Sequence, residues 1–97
     1  MKPKLGQTVY LIHNGVILED KVYALGRESF IVEGIYSRQD TGGWEWWYDG
    51  FNEAWFVSLV KAKERLIEDY KDIGLDEPYE FMKVIKIEEN SYGLEFY

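Results

Sequence analysis

An α+β fold, built as a small curled antiparallel sheet with one amphipathic helix at about 58–73 and a C-terminal β-hairpin, follows from three features of the sequence. Asn14-Gly15 separates two apolar-rich runs, QTVYLIH and VILED. Leu59, Ala62, Leu66 and Tyr70 recur at spacings of three and four. MKVIKIEE and LEFY flank a polar stretch between Asn90 and Gly93. A chain of 97 residues has too little interior for two cores, so residues 1–97 read as a single domain.

Asn-Gly is the dipeptide that best tolerates the two positive φ values of a type I′ turn, and it predicts the first hairpin. Pairing His13 with Val16 then sets Leu11 opposite Leu18 and Ile12 opposite Ile17. Both faces of this hairpin carry apolar residues. A second turn falls at Gly26-Arg27-Glu28, and opposing Leu25 with Ser29 places Val22 against Val32 and Ala24 against Phe30 on one face. Tyr23 and Ile31 share the other face, while Lys21 meets Glu33 as a favourable cross-strand charge pair. From Gly34 to Gly43 the alternation stops and Ser, Asp, Thr and paired Gly gather, which predicts a longer loop.

All four tryptophans, 44, 46, 47 and 55, stand within GGWEWWYDGFNEAWF, which reads as a hairpin. Asp49-Gly50 as a two-residue turn would bring Trp44 beside Trp55. A longer loop closed by a left-handed Asn52 sets Trp46 against Phe56 and Trp47 against Trp55, and is the preferred register. Alternation along the strand groups Trp44, Trp46 and Tyr48 on an inward face. Trp47, flanked on its own face by Glu45 and Asp49, is the exposed aromatic candidate for an interface.

Ser58 then caps a helix whose apolar stripe is Leu59, Ala62, Leu66 and Tyr70, and Gly74 supplies a left-handed stop. Lys61 stands where a reciprocal capping box would need an acid. LDEPYEF leads through an acidic turn and Pro78 to the last hairpin, whose alternation slips between Met82-Val84 and Ile85-Ile87, which means a bulge there or a register the sequence leaves open. Five or six short strands with one late helix predict an SH3-like curl closed by the helix and the last hairpin.

Composition restricts function. Aromatic residues make up 18% of the chain, enough to build a core without disulfides, and zero cysteines exclude a disulfide scaffold or a Cys-ligated metal site. The N-terminus reaches His13-Asn14-Gly15 before any apolar run long enough for a signal peptide, and no run approaches the roughly 18 residues of a membrane helix. The expected setting is the cytoplasm, without membrane contact. A net charge of −7 repels phosphate backbones, so direct nucleic-acid binding is disfavoured.

No phosphate loop, nucleophile elbow or His-Glu-x-x-His motif is present, and the single histidine, His13, abuts a turn without a partner motif. We therefore expect no catalytic, metal or cofactor residues and no enzyme activity. The densest charge is acidic: Glu68, Asp69, Asp72, Asp76, Glu77 and Glu80 face only Lys71. Their spacing does not match a calcium loop and suits a solvated face. Carboxylates so spread over a helix end and the next loop can also imitate the charge of DNA within a basic groove.

LGQTVYLIHNGVILEDKVYALGRESFIVEG and WWYDGFNEAWFVSLVKAKERL together resemble small phage and prophage accessory proteins of Gram-positive bacteria. In these a curled β module precedes a Trp-Phe-x-Ser-Leu segment opening a helix, here Trp55-Phe56-Val57-Ser58-Leu59, followed by Ala62-Lys63. The sequence departs from the pattern at Val60 and Lys61, where an acidic first turn is usual. Some small acidic phage proteins of this size resemble anti-CRISPR inhibitors. The resemblance implies a non-enzymatic protein of a mobile element whose partner is a Cas nuclease or another nucleic-acid enzyme with a basic groove. The expected contact residues are Trp47, Glu68, Asp69, Asp72, Asp76, Glu77 and Glu80. The alternative is a phage structural or assembly component that forms a homo-oligomer through a sheet edge or Trp47.

Overall fold

The computed structural model describes residues 1–34, 45–72 and 82–96. Within them the order is β1 (Thr8–His13), β2 (Val16–Leu25), β3 (Ser29–Val32), β4 (Glu45–Trp47), a short 3-10 turn (Tyr48–Gly50), β5 (Trp55–Phe56), α1 (Leu59–Asp72), β6 (Met82–Glu88) and β7 (Ser91–Phe96). The strands form a curled antiparallel half-barrel in the order β4-β3-β2-β1-β5, with β7 joining β2 and β6 joining β7. It is the small, SH3-like α+β architecture that the sequence predicts.

The first hairpin sets the frame. Asn14 and Gly15 have φ of 51° and 79°, as a type I′ turn requires, and the register is His13 to Val16, Leu11 to Leu18 and Ile12 to Ile17. The pleat explains why both faces are apolar. Val9, Leu11 and Leu18 point into the half-barrel with Val22, Phe30, Val32 and Trp55. Ile17, from the opposite face, packs with Phe56, Ala62 and Leu66 beneath α1, where Tyr10 and Ile12 join them. The helix therefore covers the second face of the hairpin.

β2 is the hub. Its ten residues pair with β1 along one edge, and with β7 and then β3 along the other. The β2–β3 register departs from the sequence expectation. Val22 meets Val32 as predicted, but Ala24 meets Ile31 and Leu25 meets Phe30, with an irregularity between Val22 and Ala24. Gly26 donates its amide to the Ser29 carbonyl at 2.7 Å, closing a tighter turn than expected. That turn shifts the register by one residue, and a bulge at Tyr23 restores it so that Val22 and Val32 still enter the core.

The tryptophan segment also departs from expectation: it is not a hairpin. β4 pairs with β3 (Ser29 to Trp47, Phe30 to Trp46, Ile31 to Glu45), whereas β5 pairs with β1 (Tyr10 to Phe56, Leu11 to Trp55). Neither Trp46–Phe56 nor Trp47–Trp55 is a strand pair. The 3-10 turn and Asn52, left-handed at φ 63°, carry the chain across the mouth of the half-barrel from one sheet edge to the other. Open edges of β1 and β3 offer more backbone hydrogen bonds, and a deeper site for Trp55, than a two-residue β5 could find along β4.

Ser58 caps α1 as expected, its Oγ accepting the Lys61 amide at 3.4 Å. Ala62 and Leu66 are buried and Leu59 and Tyr70 half-buried, as the spacing predicts. The last hairpin turns at Glu89-Asn90, earlier than expected, and its bulge falls between Lys86 and Glu88. Ile87, the extra residue, is half exposed. The loop expected at 34–43, Trp44, Gly74 and Pro78 lie outside the described residues, except for Gly34.

Candidate functional site

The tryptophans divide sharply. Trp55 is fully buried, edge-on to Phe30 at 4.8 Å between ring centres and tilted against Phe51 at 4.9 Å. Its Nε1 donates to the Trp47 carbonyl at 2.8 Å. Trp46 is half-buried against the same core. Trp47, in contrast, is 55% exposed although its backbone is held by that bond and by pairing to Ser29. A rigid backbone with an exposed indole costs little ordering entropy on binding.

Trp47 does not stand alone. Tyr23 is 68% and Ile31 37% exposed. Cross-strand pairing puts Ile31 beside Glu45, and Ser29 beside Trp47, on the outer face of β2-β3-β4. The Ser29 hydroxyl donates to Glu45 Oε2 at 2.6 Å on this face, which orients the carboxylate. The bulge turns Tyr23 outward beside Ala24, itself opposite Ile31. α1 packs on β1, β2, β5 and β6, and among the described residues no helix covers the outer side of β3 and β4.

At the end of this face Arg27, Glu28, Trp47, Tyr48 and Asp49 line an open depression of about 410 Å³. Its floor is fixed. Tyr48 donates its hydroxyl proton to the Gly26 carbonyl at 2.8 Å and stacks on Phe30 at 6.0 Å. Lys2 Nζ lies 5.7 Å from the centre of the Tyr48 ring, so an aromatic of this end already holds a cation.

Of the acidic residues expected as contacts, Glu68 and Asp69 stand on α1. Glu68 is exposed and lines a separate cleft with Phe56, Lys61, Glu64, Arg65 and Ile67. Asp69 pairs with Arg65 at 3.0 Å, one helical turn away, in a half-exposed bond that directs its charge to its own helix. Asp72 is the last residue of α1, and Asp76, Glu77 and Glu80 lie outside the described residues. Across α1 as a whole, four basic residues balance four acidic ones. Between residues 45 and 58, however, Glu45, Asp49 and Glu53 have no basic neighbour in the chain. Glu45 and Asp49 thus flank Trp47 in the chain, while Arg27 and Lys2 stand at the same end of the face in space.

Asp20 is a further feature that the sequence did not single out. It is 3% exposed on the inner face of β2, accepting the Lys21 amide at 2.8 Å and the Gly34 amide at 3.1 Å. These bonds tie the left-handed exit of β3, Gly34 at φ 76°, back to β2. Its role is structural. Tyr10, whose hydroxyl is pushed above the ordinary tyrosine range by burial, then by Glu19 and Tyr92, likewise belongs to the packing under α1.

His13 stands exposed at the first turn, its Nε2 3.2 Å from the Asn14 side-chain nitrogen. Among the described residues no three His, Cys, Asp or Glu side chains converge as metal ligands, and no helix is long and apolar enough to cross a membrane. Tyr23 and Ile31 are the candidate contact residues that sequence reasoning missed. Their shared face was readable from alternation, but its exposure depends on where α1 packs. Compared with protein-family models, curated proteins and solved structures, the chain has no match.

Proposed function

We propose that this is a non-enzymatic protein-binding protein of a phage or other mobile element, acting as an inhibitor that occupies a basic surface of a bacterial nucleic-acid enzyme such as a Cas nuclease. The observation that carries the binding role is Trp47, an exposed indole on a strand whose backbone is pinned on both sides. Aromatic anchors of this kind dominate the energy of small interfaces. Glu45 and Asp49 beside it supply the complement to a basic surface and steer its approach. The assignment of a nucleic-acid enzyme rests on the resemblance of the sequence to small acidic phage proteins and on the charge of −7.

The test is capture from a bacterial lysate by the full chain and by Trp47→Ala. A nucleic-acid enzyme retained by the wild type, lost by the variant and inhibited in nucleic-acid binding is the expected result. Equal capture by both proteins, or a captured enzyme that binds its nucleic acid unimpeded, overturns the reading.

A further inference from the structure

We infer that the outer face of β2-β3-β4 docks an arginine-bearing segment of the partner, with a guanidinium stacked on the Trp47 indole and paired to Glu45 or Asp49. This deepens the proposed function and rests on it. Three observations converge.

Each of the three strands contributes an exposed apolar side chain to the floor, with the Ser29–Glu45 hydrogen bond between Ile31 and Trp47. Tyr23, Ile31 and Trp47 are all exposed, and strand pairing sets Ile31 between the bulge that carries Tyr23 and the edge strand that carries Trp47. An exposed apolar face rimmed by polar groups marks an interaction site.

The rim has the wrong charge for a second copy of this chain and the right one for a basic partner. Glu28, Glu33, Glu45 and Asp49 are exposed on or beside the face, against Lys21, Arg27 and, at the Tyr48 end, Lys2. A two-fold contact would bring each acidic set against its own copy, because such interfaces are self-complementary. A cationic segment meets the same rim favourably.

The spacing suits arginine. Glu45 and Trp47 lie two residues apart on one strand face, roughly 7 Å along the strand. A guanidinium over the indole can therefore reach the carboxylate that Ser29 orients. Arginine stacks on aromatic faces and is more weakly hydrated than lysine, so it loses less on leaving water. Its alkyl stem covers Ile31.

The probe is a seven-residue peptide alternating arginine and valine between terminal glycines, with lysine and citrulline counterparts. Titration into the isotope-labelled protein is followed by amide and indole shifts. The expected shifts centre on Tyr23, Ile31, Glu45 and Trp47, and Trp47→Ala weakens binding about tenfold. Citrulline, which keeps the shape and loses the charge, abolishes the shifts. Glu45→Gln weakens binding, whereas Asp69→Asn on α1 does not.

Shifts centred on α1, equal affinity of the arginine and citrulline peptides, equal affinity in Trp47→Ala, or no shift at millimolar peptide each overturn the inference. So do concentration-dependent shifts of this face without peptide, together with a dimer in sedimentation, which assign it to a second copy. If the peptide fails while Trp47→Ala still loses the captured enzyme, the arginine chemistry is wrong and the binding role stands. If Trp47→Ala captures normally, the binding role itself fails.

Discussion

Replacing Asp20 with alanine removes a buried acceptor from the middle of the hub strand. The carboxylate is 3% exposed, and its two oxygens accept separate backbone amides, Lys21 at 2.8 Å and Gly34 at 3.1 Å. A hydrogen bond to a charged group contributes about 1.5–3 kcal/mol, and the variant leaves two amides without this acceptor. Relief of the carboxylate's own desolvation offsets part of that loss. A net destabilisation of about 2–4 kcal/mol is expected, a large share of the roughly 5–15 kcal/mol that holds such a domain together. Urea unfolding should show a lower midpoint at unchanged slope, and thermal unfolding a midpoint lower by roughly 10–25 °C. Asp20→Asn keeps one acceptor oxygen and should lose about half as much. The local signature is faster hydrogen exchange at the Gly34 amide. An alanine variant within about 0.5 kcal/mol of the wild type, with Gly34 exchange unchanged, would refute the view that Asp20 clamps the exit of β3.

The remaining predictions probe the two cores and the surface. Trp55→Phe keeps a ring in the core but loses the Nε1 bond to the Trp47 carbonyl, so it should cost about 1–3 kcal/mol and speed exchange in β4. Leu66→Ala, beneath the helix, should cost about 2–5 kcal/mol in denaturant unfolding, whereas Val60→Ala, 65% exposed on the same helix, should stay within about 0.5 kcal/mol. Tyr10 holds its proton more tightly in the folded chain than in the unfolded one. Its contribution is therefore complete below the ordinary tyrosine value of about 10 and is lost as pH rises toward the raised folded value. Ultraviolet titration should find one tyrosine ionising late, and Tyr10→Phe should remove that alkaline loss.

Local chemistry made much of the fold legible. Asn14-Gly15 admits one tight turn, and with it every pair of the first hairpin follows. Ser58 and the Leu59, Ala62, Leu66, Tyr70 spacing locate α1 to within a residue at each end. The errors fall where a long-range choice competes with a local one. In the second hairpin a tight turn and the core demands of Val22 and Val32 conflict by one residue, and the Tyr23 bulge resolves them. In 45–56 the alternation of β4 and β5 was readable, but their partners were not, because strands of three and two residues carry too few side chains to specify a neighbour.

The candidate site was half legible for the same reason. Trp47 between Glu45 and Asp49 stood out as an aromatic on an acidic face, and it is exposed. The acids from Glu68 to Glu80 stood out by density; of these Asp69 engages Arg65, and Asp76, Glu77 and Glu80 lie outside the described residues.

By itself, then, the sequence determined the class of fold, the first hairpin, the helix and its buried stripe, since each depends on interactions within a few residues. Tertiary structure alone decided that Trp55 is core, that Tyr23 and Ile31 join Trp47 on one open face, and that Asp20 is a buried clamp. Those outcomes depend on which sheet edge each short strand finds and which face the single helix covers. Both are set by competition among distant surfaces for burial, which no local pattern records.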